Sequence, residues 1–320
     1  MEKLWLKNYQ AGISPEIDIN TYSSLIDFLN ITFEKFPDKP AFHNMGKTIT
    51  YSELKELSLK FASYLQNKLG LQKGDRVALM MPNILQYPIA LFGCIQAGLT
   101  VVNINPLYTA RELEYQLKDS GATTIVIFEN SASILEKVIG KTSIRNVITT
   151  QIGDMLGFPK SSIVNFVLKN VKKMVPVWNL PNSVKFKDVL KLGETSKFTK
   201  VTATHDDIAF LQYTGGTTGV SKGAILSHSN IIANILQAKE WIKHNIKDGE
   251  EIIITALPLY HIFSLTANCM IFSSVGALNI LITNPRDIPG FVKELKKWKF
   301  TAFTGLNTLF NALLNNPDFK

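Results

Sequence analysis

Residues 214–223 read Thr-Gly-Gly-Thr-Thr-Gly-Val-Ser-Lys-Gly, which places four glycines, three threonines, a serine and a lysine in one short stretch. These residue types suit the holding of an anion. Glycine lets backbone N–H groups approach a phosphate where a Cβ would clash, and hydroxyls with one ammonium add further donors. A solvated Gly/Thr linker would account for the composition but not for the position. The stretch follows the apolar run Ile208 to Tyr213 and precedes a predicted helix over Ile231 to Trp241. Thr214, Gly215, Gly216, Thr217, Thr218, Gly219, Ser221 and Lys222 are therefore read as nucleotide-phosphate-binding residues.

The common short pattern for such a loop is G-x-x-x-x-G-K-[ST]. Counted from Gly216, Ser221 takes the place of the second glycine, and Gly223 replaces the hydroxyl that would hold magnesium. A P-loop kinase is thus the weaker reading. The longer string Tyr213 to Ala224 resembles instead the phosphate-loop signature of the acyl-adenylate-forming enzymes, a superfamily of acyl-CoA ligases, luciferases and peptide-synthetase adenylation domains. Ile49 to Leu54 is similar to that family's "T-Y-x-E-L" segment, Ala97 to Pro106 to its "A-G-x-x-x-x-x-x-x-P" segment, and Leu257 to Phe263 to its "P-x-[FY]-H" segment. Gly305 to Leu314 resembles the acyl-tunnel helix of bacterial long-chain fatty acyl-CoA ligases, the branch the chain resembles most.

The resemblance implies a two-step reaction. ATP and a long-chain fatty acid would give acyl-adenylate and pyrophosphate, and coenzyme A would then displace AMP to form the thioester, with Mg2+ accompanying the nucleotide. It further implies that the phosphate loop holds the β- and γ-phosphates, that His261 orients the acyl carboxylate or closes the tunnel, and that Gly305 and Asn307 stand at the tunnel helix. No residue here is assigned as a metal ligand. The family's later motifs, among them the ribose-binding acid and the adenylation lysine, have no counterpart before Lys320. The chain is accordingly expected to be the N-terminal part of such a ligase, lacking the C-terminal domain and not completing acyl-CoA synthesis alone. Read from the residues only, His261 is a turn histidine and Leu306, Leu309, Phe310, Leu313 and Leu314 trace a core helix. A non-catalytic acyl or nucleotide binder, or another acyl-adenylating enzyme, stays open beside the ligase.

The elements that must position these residues follow from periodicity. Apolar residues at 25, 28, 29, 33 and 36, with Thr32 on the same face, predict a helix over Thr21 to Phe36, and Thr50 with Glu53 forms a capping box before a second apolar face. Short apolar or β-branched runs then alternate with helices: strands over 77–81, 100–104, 124–128 and 147–150, with a second capping box at Thr109 and Glu112. After Thr204 the pattern resumes with strands over 208–213, 251–256, 278–283 and 300–303. This order predicts an α/β fold of two doubly wound α/β units with mostly parallel sheets, divided as 1–204 and 205–320. Ligands in such sheets bind beyond the carboxyl ends of strands, where the Thr214 loop and His261 both fall.

Composition supports a folded, intracellular body. Of 320 residues 46% are hydrophobic and 19% charged, enough for a large core, and the two cysteines, Cys94 and Cys269, sit in apolar stretches as buried thiols. No apolar leader begins the chain, so the expected place is the cytoplasm. The uncharged stretch between His261 and Arg286 is long enough to span a membrane, but its serines, asparagines and Val275-Gly276-Ala277 read as a helix end before a buried strand. Charge is concentrated elsewhere. From Met155 to Lys187 there are six lysines and no acid, so these residues supply +6 of the net +8. Ile163, Val164, Val167, Leu168, Val171, Met174 and Val175 form a helical stripe there, which fits either an anionic membrane surface on the inner face or packing on the protein body. No motif favours nucleic acid. The expected partners are the fatty acid, that membrane surface and a second copy in a homodimer.

Overall fold

The computed structural model describes residues 3–215 and 220–319. Side-chain caps set the helix starts. The Thr50 hydroxyl accepts the Glu53 N–H at 3.1 Å while the Glu53 carboxylate accepts the Thr50 N–H at 2.8 Å, which opens the helix Tyr51–Asn67 where the capping box predicts it. Thr109 and Glu112 do the same for Ala110–Ser120. The first helix is Leu25–Lys35, capped by Ser24, and starts later than periodicity suggests because Asp18 closes a separate 3-10 turn over Ile19–Thr21.

In chain order the strands are β1 (Pro40–Asn44), β2 (Lys47–Thr50), β3 (Arg76–Met80), β4 (Thr100–Asn103), β5 (Thr124–Phe128), β6 (Asn146–Thr150), β7 (Val184–Lys185), β8 (Ile208–Thr214), β9 (Lys222–Ser227), β10 (Ile252–Thr255), β11 (Leu278–Leu281) and β12 (Ala302–Phe303). Among the described residues they form two sheets. One has the order β7-β6-β5-β3-β4-β8-β9, the other β12-β10-β11-β1-β2. All pairings are parallel except the hairpins β8–β9 and β1–β2. The eight predicted strands are all present, shifted by a residue or two at their ends. β1, β2, β7 and β9 are short or mostly polar and have no apolar run longer than three residues to mark them.

The sheets do not divide at residue 204. β1 and β2 lie beside β11, and β8 and β9 extend the sheet that β3 and β4 begin. The pairing Phe42 with Asn279 covers an edge of β11, and Val101 with Phe210 covers an edge of β4, so each half of the chain completes the other's sheet. The largest core joins both, through Phe42 and Ile253 on one side and Val77, Val101 and Phe210 on the other. The helix Gln86–Gln96 is buried all round, as expected of a helix between two layers. Outside it, Tyr51–Asn67 packs closely against Phe186–Glu194. A Cβ on Gly193 would stand 1.8 Å from the Lys60 carbonyl, so only glycine permits that approach.

No helix among the described residues is long and apolar enough to cross a membrane. The uncharged stretch folds as a helical run Ile262–Ser273 with a π-helical turn at Leu265–Met270, followed by β11. The basic stripe is helical over a shorter span than expected: Lys160–Phe166, then a π-helical turn Val167–Val171, which Met174 and Val175 lie beyond. Cys94 and Cys269 are free and buried, and burial pushes both thiols up.

Candidate active site

β4 and β8 are adjacent and parallel, with Asn103 opposite Gln212. From β4 the chain turns back toward β5, and from β8 it moves out to β9, so the two neighbours send their connections in opposite directions. Such a switch point leaves a crevice beyond the carboxyl ends. A cleft of about 340 Å³ opens there. Asn103, Asn105 and Tyr108 line it from β4, Gln212 to Gly215 from β8, and Tyr260 with His261 from the turn after β10.

A buried polar network holds these three walls together. Asn103 Nδ2 donates to Gln212 Oε1 at 3.1 Å, and Gln212 Nε2 donates to the Tyr260 carbonyl at 3.0 Å. The Tyr87 hydroxyl lies 2.7 Å from Asn103 Oδ1 and 2.9 Å from the Leu259 carbonyl, two acceptors for one proton. Asn83, which follows β3, donates to the Thr255 and Leu257 carbonyls at 3.0 and 2.9 Å and accepts the Leu259 N–H at 2.8 Å. The turn that carries His261 is thereby fastened from the seven-stranded sheet. Tyr260 is half-buried, and burial, then the neighbouring Tyr108, raises its phenol pKa, so it stays a neutral donor.

His261 closes the turn by donating its N–H to the Pro258 carbonyl at 3.0 Å. Its Nδ1 accepts the Phe263 N–H at 3.3 Å and so caps the helical run that follows. In the neutral ring this leaves the proton on Nε2, a hydrogen-bond donor at the cleft wall. The imidazole is exposed.

The phosphate-loop candidate is the end of a hairpin, not a direct strand-to-helix turn. Thr214 pairs with Lys222 and Tyr213 with Gly223, and the next helix begins only at His228. The Ser221 hydroxyl donates to the Thr214 carbonyl at 2.9 Å. Thr214, Gly215 and Lys222 are exposed at the rim. Gly216, Thr217, Thr218 and Gly219 lie outside the described residues. Gly223 has a structural reason: a Cβ there would stand 2.9 Å from the Tyr213 ring, whose hydroxyl donates to Asp119 at 2.5 Å. The hydroxyl residue that a P-loop has at this point would displace that ring.

Thr214, Gly215 and His261 thus meet in one cleft, with Ser221 and Lys222 beside them. Gly305 and Asn307 do not join them among the described residues. They lie after β12, at the edge of the other sheet. A Cβ on Gly305 would meet the Phe310 ring at 2.7 Å, and exposed Asn307 opens the helix Asn307–Leu314. Of that helix's apolar residues Leu313 is buried, whereas Phe310 and Leu314 are exposed. Asn83, Asn103, Gln212 and Tyr260 were not expected from sequence. A signal for two of them exists: Asn103 in Thr-Val-Val-Asn and Gln212 in Ile-Ala-Phe-Leu-Gln-Tyr-Thr are lone amides inside buried runs, which require partners.

The AMP-binding enzyme family matches residues 29–320. The chain belongs to this family. Over its whole length it is 56% identical to a long-chain-fatty-acid–CoA ligase of Yersinia pestis and 35% identical to one of Bacillus subtilis. It spans 57% and 56% of those two proteins, little more than half of their length. Among solved structures, a long-chain-fatty-acid-CoA ligase from Archaeoglobus fulgidus superposes with a TM-score of 0.76 at 25% identity, over 96% of this chain and 57% of that one. An anthranilate CoA ligase in complex with anthranoyl-AMP superposes at 0.77 with 20% identity, over 95% of this chain and 54% of that one, a likeness of fold. The α/β architecture of the family's adenylate-forming members is therefore the architecture of this chain.

Proposed function

We propose that this chain serves ATP-dependent activation of a long-chain fatty acid to acyl-adenylate and then acyl-CoA, supplying the nucleotide cleft of a ligase. The observation that carries this reading is the convergence of the Thr214 hairpin end and His261 at the β4/β8 switch point, in a chain whose close relatives are long-chain-fatty-acid–CoA ligases. The donor set fits a triphosphate. Thr214 and Ser221 bring hydroxyls, Lys222 brings a cation, and no carboxylate lines the cleft. Mg2+ would enter with the nucleotide as part of the substrate. Backbone and hydroxyl donors from Thr214, Gly215, Gly216, Thr217, Thr218, Gly219 and Ser221, with Lys222, stabilise the charge that grows on the leaving pyrophosphate. His261 offers its Nε2–H to the acyl carboxylate. Gly305 and Asn307 border the path of the acyl chain. We place the protein in the cytoplasm at the inner face of the membrane, with residues 155–187 as its contact with anionic lipid.

The test is the double substitution Lys222→Ala, Thr217→Ala, read as ATP binding by isothermal titration calorimetry. Two charge-assisted hydrogen bonds of about 1.5 to 3 kcal/mol each should be lost, which weakens affinity by at least a hundredfold. An unchanged dissociation constant in a folded variant would remove the hairpin from the nucleotide site.

A further inference from the structure

The segment 155–187 turns its polar side inward. Asn165 accepts the Gly153 N–H at 2.8 Å and donates to Gln151 Oε1 at 2.9 Å and to Asp154 Oδ1 at 3.2 Å. Asn130 donates to the Met174 carbonyl at 2.9 Å, and Lys187 donates to the Ser161 hydroxyl at 2.6 Å. Several apolar side chains face out, Phe158, Phe166 and Val177 being 91%, 61% and 97% exposed, while Val164, Val167, Leu168 and Val175 are half-buried. Val171 and Met174 are more than half exposed as well. A helix packed on a protein body shows the reverse arrangement. Lys169, Lys172 and Lys173 stand exposed among these side chains, with no acid in the segment to offset them.

The latch also has a direction. Gln151 and Gly153 follow β6 and Asn130 follows β5, so the segment is fixed at the carboxyl edge of the seven-stranded sheet, the edge beyond which the cleft opens. β6 and β4 are three positions apart, about 14 Å at the usual strand spacing. We infer that Phe158, Phe166, Val171, Met174 and Val177 form a preformed docking face for an anionic phospholipid surface, which sets the carboxyl edge of the sheet, and with it the cleft, toward the bilayer. Apolar side chains enter the headgroup boundary, and the three lysines select anionic over neutral lipid. The inference rests on the membrane partner proposed above and adds its contacting side chains and its orientation. It does not depend on ligase chemistry.

The experiment is flotation of the purified chain with phosphatidylcholine vesicles, with and without phosphatidylglycerol. Binding should need the anionic lipid and weaken with salt. Changing Lys169, Lys172 and Lys173 together to Gln should lower the partition coefficient on the order of a hundredfold. Changing Phe166, Val171 and Met174 together to Ser should abolish flotation at unchanged net charge. Orientation is read with a fluorophore. Because Cys94 and Cys269 are buried, a maleimide dye reports only an introduced thiol. Phe158→Cys lies on the face, and Lys68→Cys lies before the amino end of β3. Brominated lipid should quench the first dye and spare the second. Equal binding to neutral vesicles, indifference to the lysine substitutions, or equal quenching at both positions would overturn the inference. So would a concentration-dependent dimer that the serine variant abolishes with no vesicle binding, which would assign the face to a second copy. ATP binding by the same proteins separates the two readings: nucleotide binding without flotation ends the docking face and leaves the ligase assignment standing.

Discussion

The end of the β8–β9 hairpin and the middle of the segment 155–187 are both exposed, both present lysine, and both hang from the seven-stranded sheet, yet they are held by different means. Hydrogen-bonded register fixes the hairpin, with Thr214 opposite Lys222, and the Tyr213 ring packs over the only residue type that leaves it room. The segment is paired to β6 by backbone only at its end, where Val184–Lys185 forms β7; its middle, residues 160–174, is fixed by side-chain amides, chiefly Asn165 and Asn130, and its backbone changes there from α to π geometry. Main-chain pairing fixes Thr214 and Lys222 opposite each other, the positional constraint that the proposed phosphate site would need. A few amide bonds set which side faces out, which is all a lipid surface requires. Precision of attachment therefore separates the proposed site for a molecule from the proposed site for a surface.

The helical part of the segment, Lys160–Phe166 and Val167–Val171, should therefore be detachable without loss of the hairpin. Asn165→Leu removes three hydrogen bonds and leaves the Asp154 carboxylate with fewer partners. Bonds of about 1 kcal/mol each, more for the charged acceptor, give a local loss of about 3 to 4 kcal/mol. Trypsin cleavage after Lys169, Lys172 and Lys173 should accelerate at least a hundredfold, with thermal unfolding of the body shifted little. Cleavage at the wild-type rate would mean that the latch lies elsewhere.

A second test acts on the other partner of the comparison through pH. His228 opens the helix that follows β9, is buried, and accepts the Leu25 N–H on Nδ1 at 2.9 Å. Burial, with smaller contributions from Lys73 and His205 against Asp207, pushes its pKa down to about 4. The folded state thus holds the ring neutral where an unfolded chain would protonate it near 6.5. Stability from this group is fully present above pH 6.5 and is lost as pH falls toward 4, by about 3 kcal/mol at the end of that window. Urea midpoints between pH 7 and 4 should fall for the wild type, and His228→Asn should flatten that part of the slope. An identical slope in the variant would show that other groups carry the acid sensitivity.

What the sequence made legible follows the same division. The capping boxes at Thr50 and Thr109 and the apolar strands depend on neighbours within a few residues, and each is where the pattern puts it. β9 carries only the three-residue apolar run Ala224 to Leu226 on an exposed edge strand, too short to stand out, and so the loop read as a strand-to-helix turn is a hairpin. The exchange of β1, β2, β8 and β9 between the two sheets depends on which edges lie open in space, information that residue order along the chain does not contain. For the basic segment the stripe was legible but its facing was not. A stripe gives a helix two sides, and only the amides that bond to Gly153 and Gln151 decide which one turns inward.

Gly223→Val sharpens the hairpin's side. A Cβ at this position meets the Tyr213 ring at 2.9 Å, and the cross-strand pair leaves the ring nowhere to go without breaking its bond to Asp119. Overpacking of this kind costs about 1 to 3 kcal/mol. The urea midpoint should fall accordingly and ATP binding should weaken with it, whereas vesicle flotation should be unchanged because the segment's latches are not touched. Parallel loss of flotation would show that the two regions are coupled.

The smallest expected effect is the most specific. Tyr213→Phe keeps the ring over Gly223 and removes only the hydroxyl that donates to Asp119 at 2.5 Å. Burial, then the Asp119 carboxylate, raises the Tyr213 pKa above the usual phenol value, so the bond is a neutral hydroxyl to a carboxylate throughout the physiological range. Its loss should cost about 1.5 kcal/mol, somewhat less for an Asp119 carboxylate that water can reach. If ring packing positions the hairpin, ATP affinity changes less than threefold while the urea midpoint drops measurably. If the tether to the helix Ala110–Ser120 positions it, affinity falls about tenfold and Asp119→Asn, which still accepts the hydroxyl, restores most of what Asp119→Ala loses. The two outcomes differ in nucleotide affinity alone, so one titration series on Tyr213→Phe, Asp119→Ala and Asp119→Asn decides whether the proposed nucleotide hairpin is held by its own strands or by the helix beneath them.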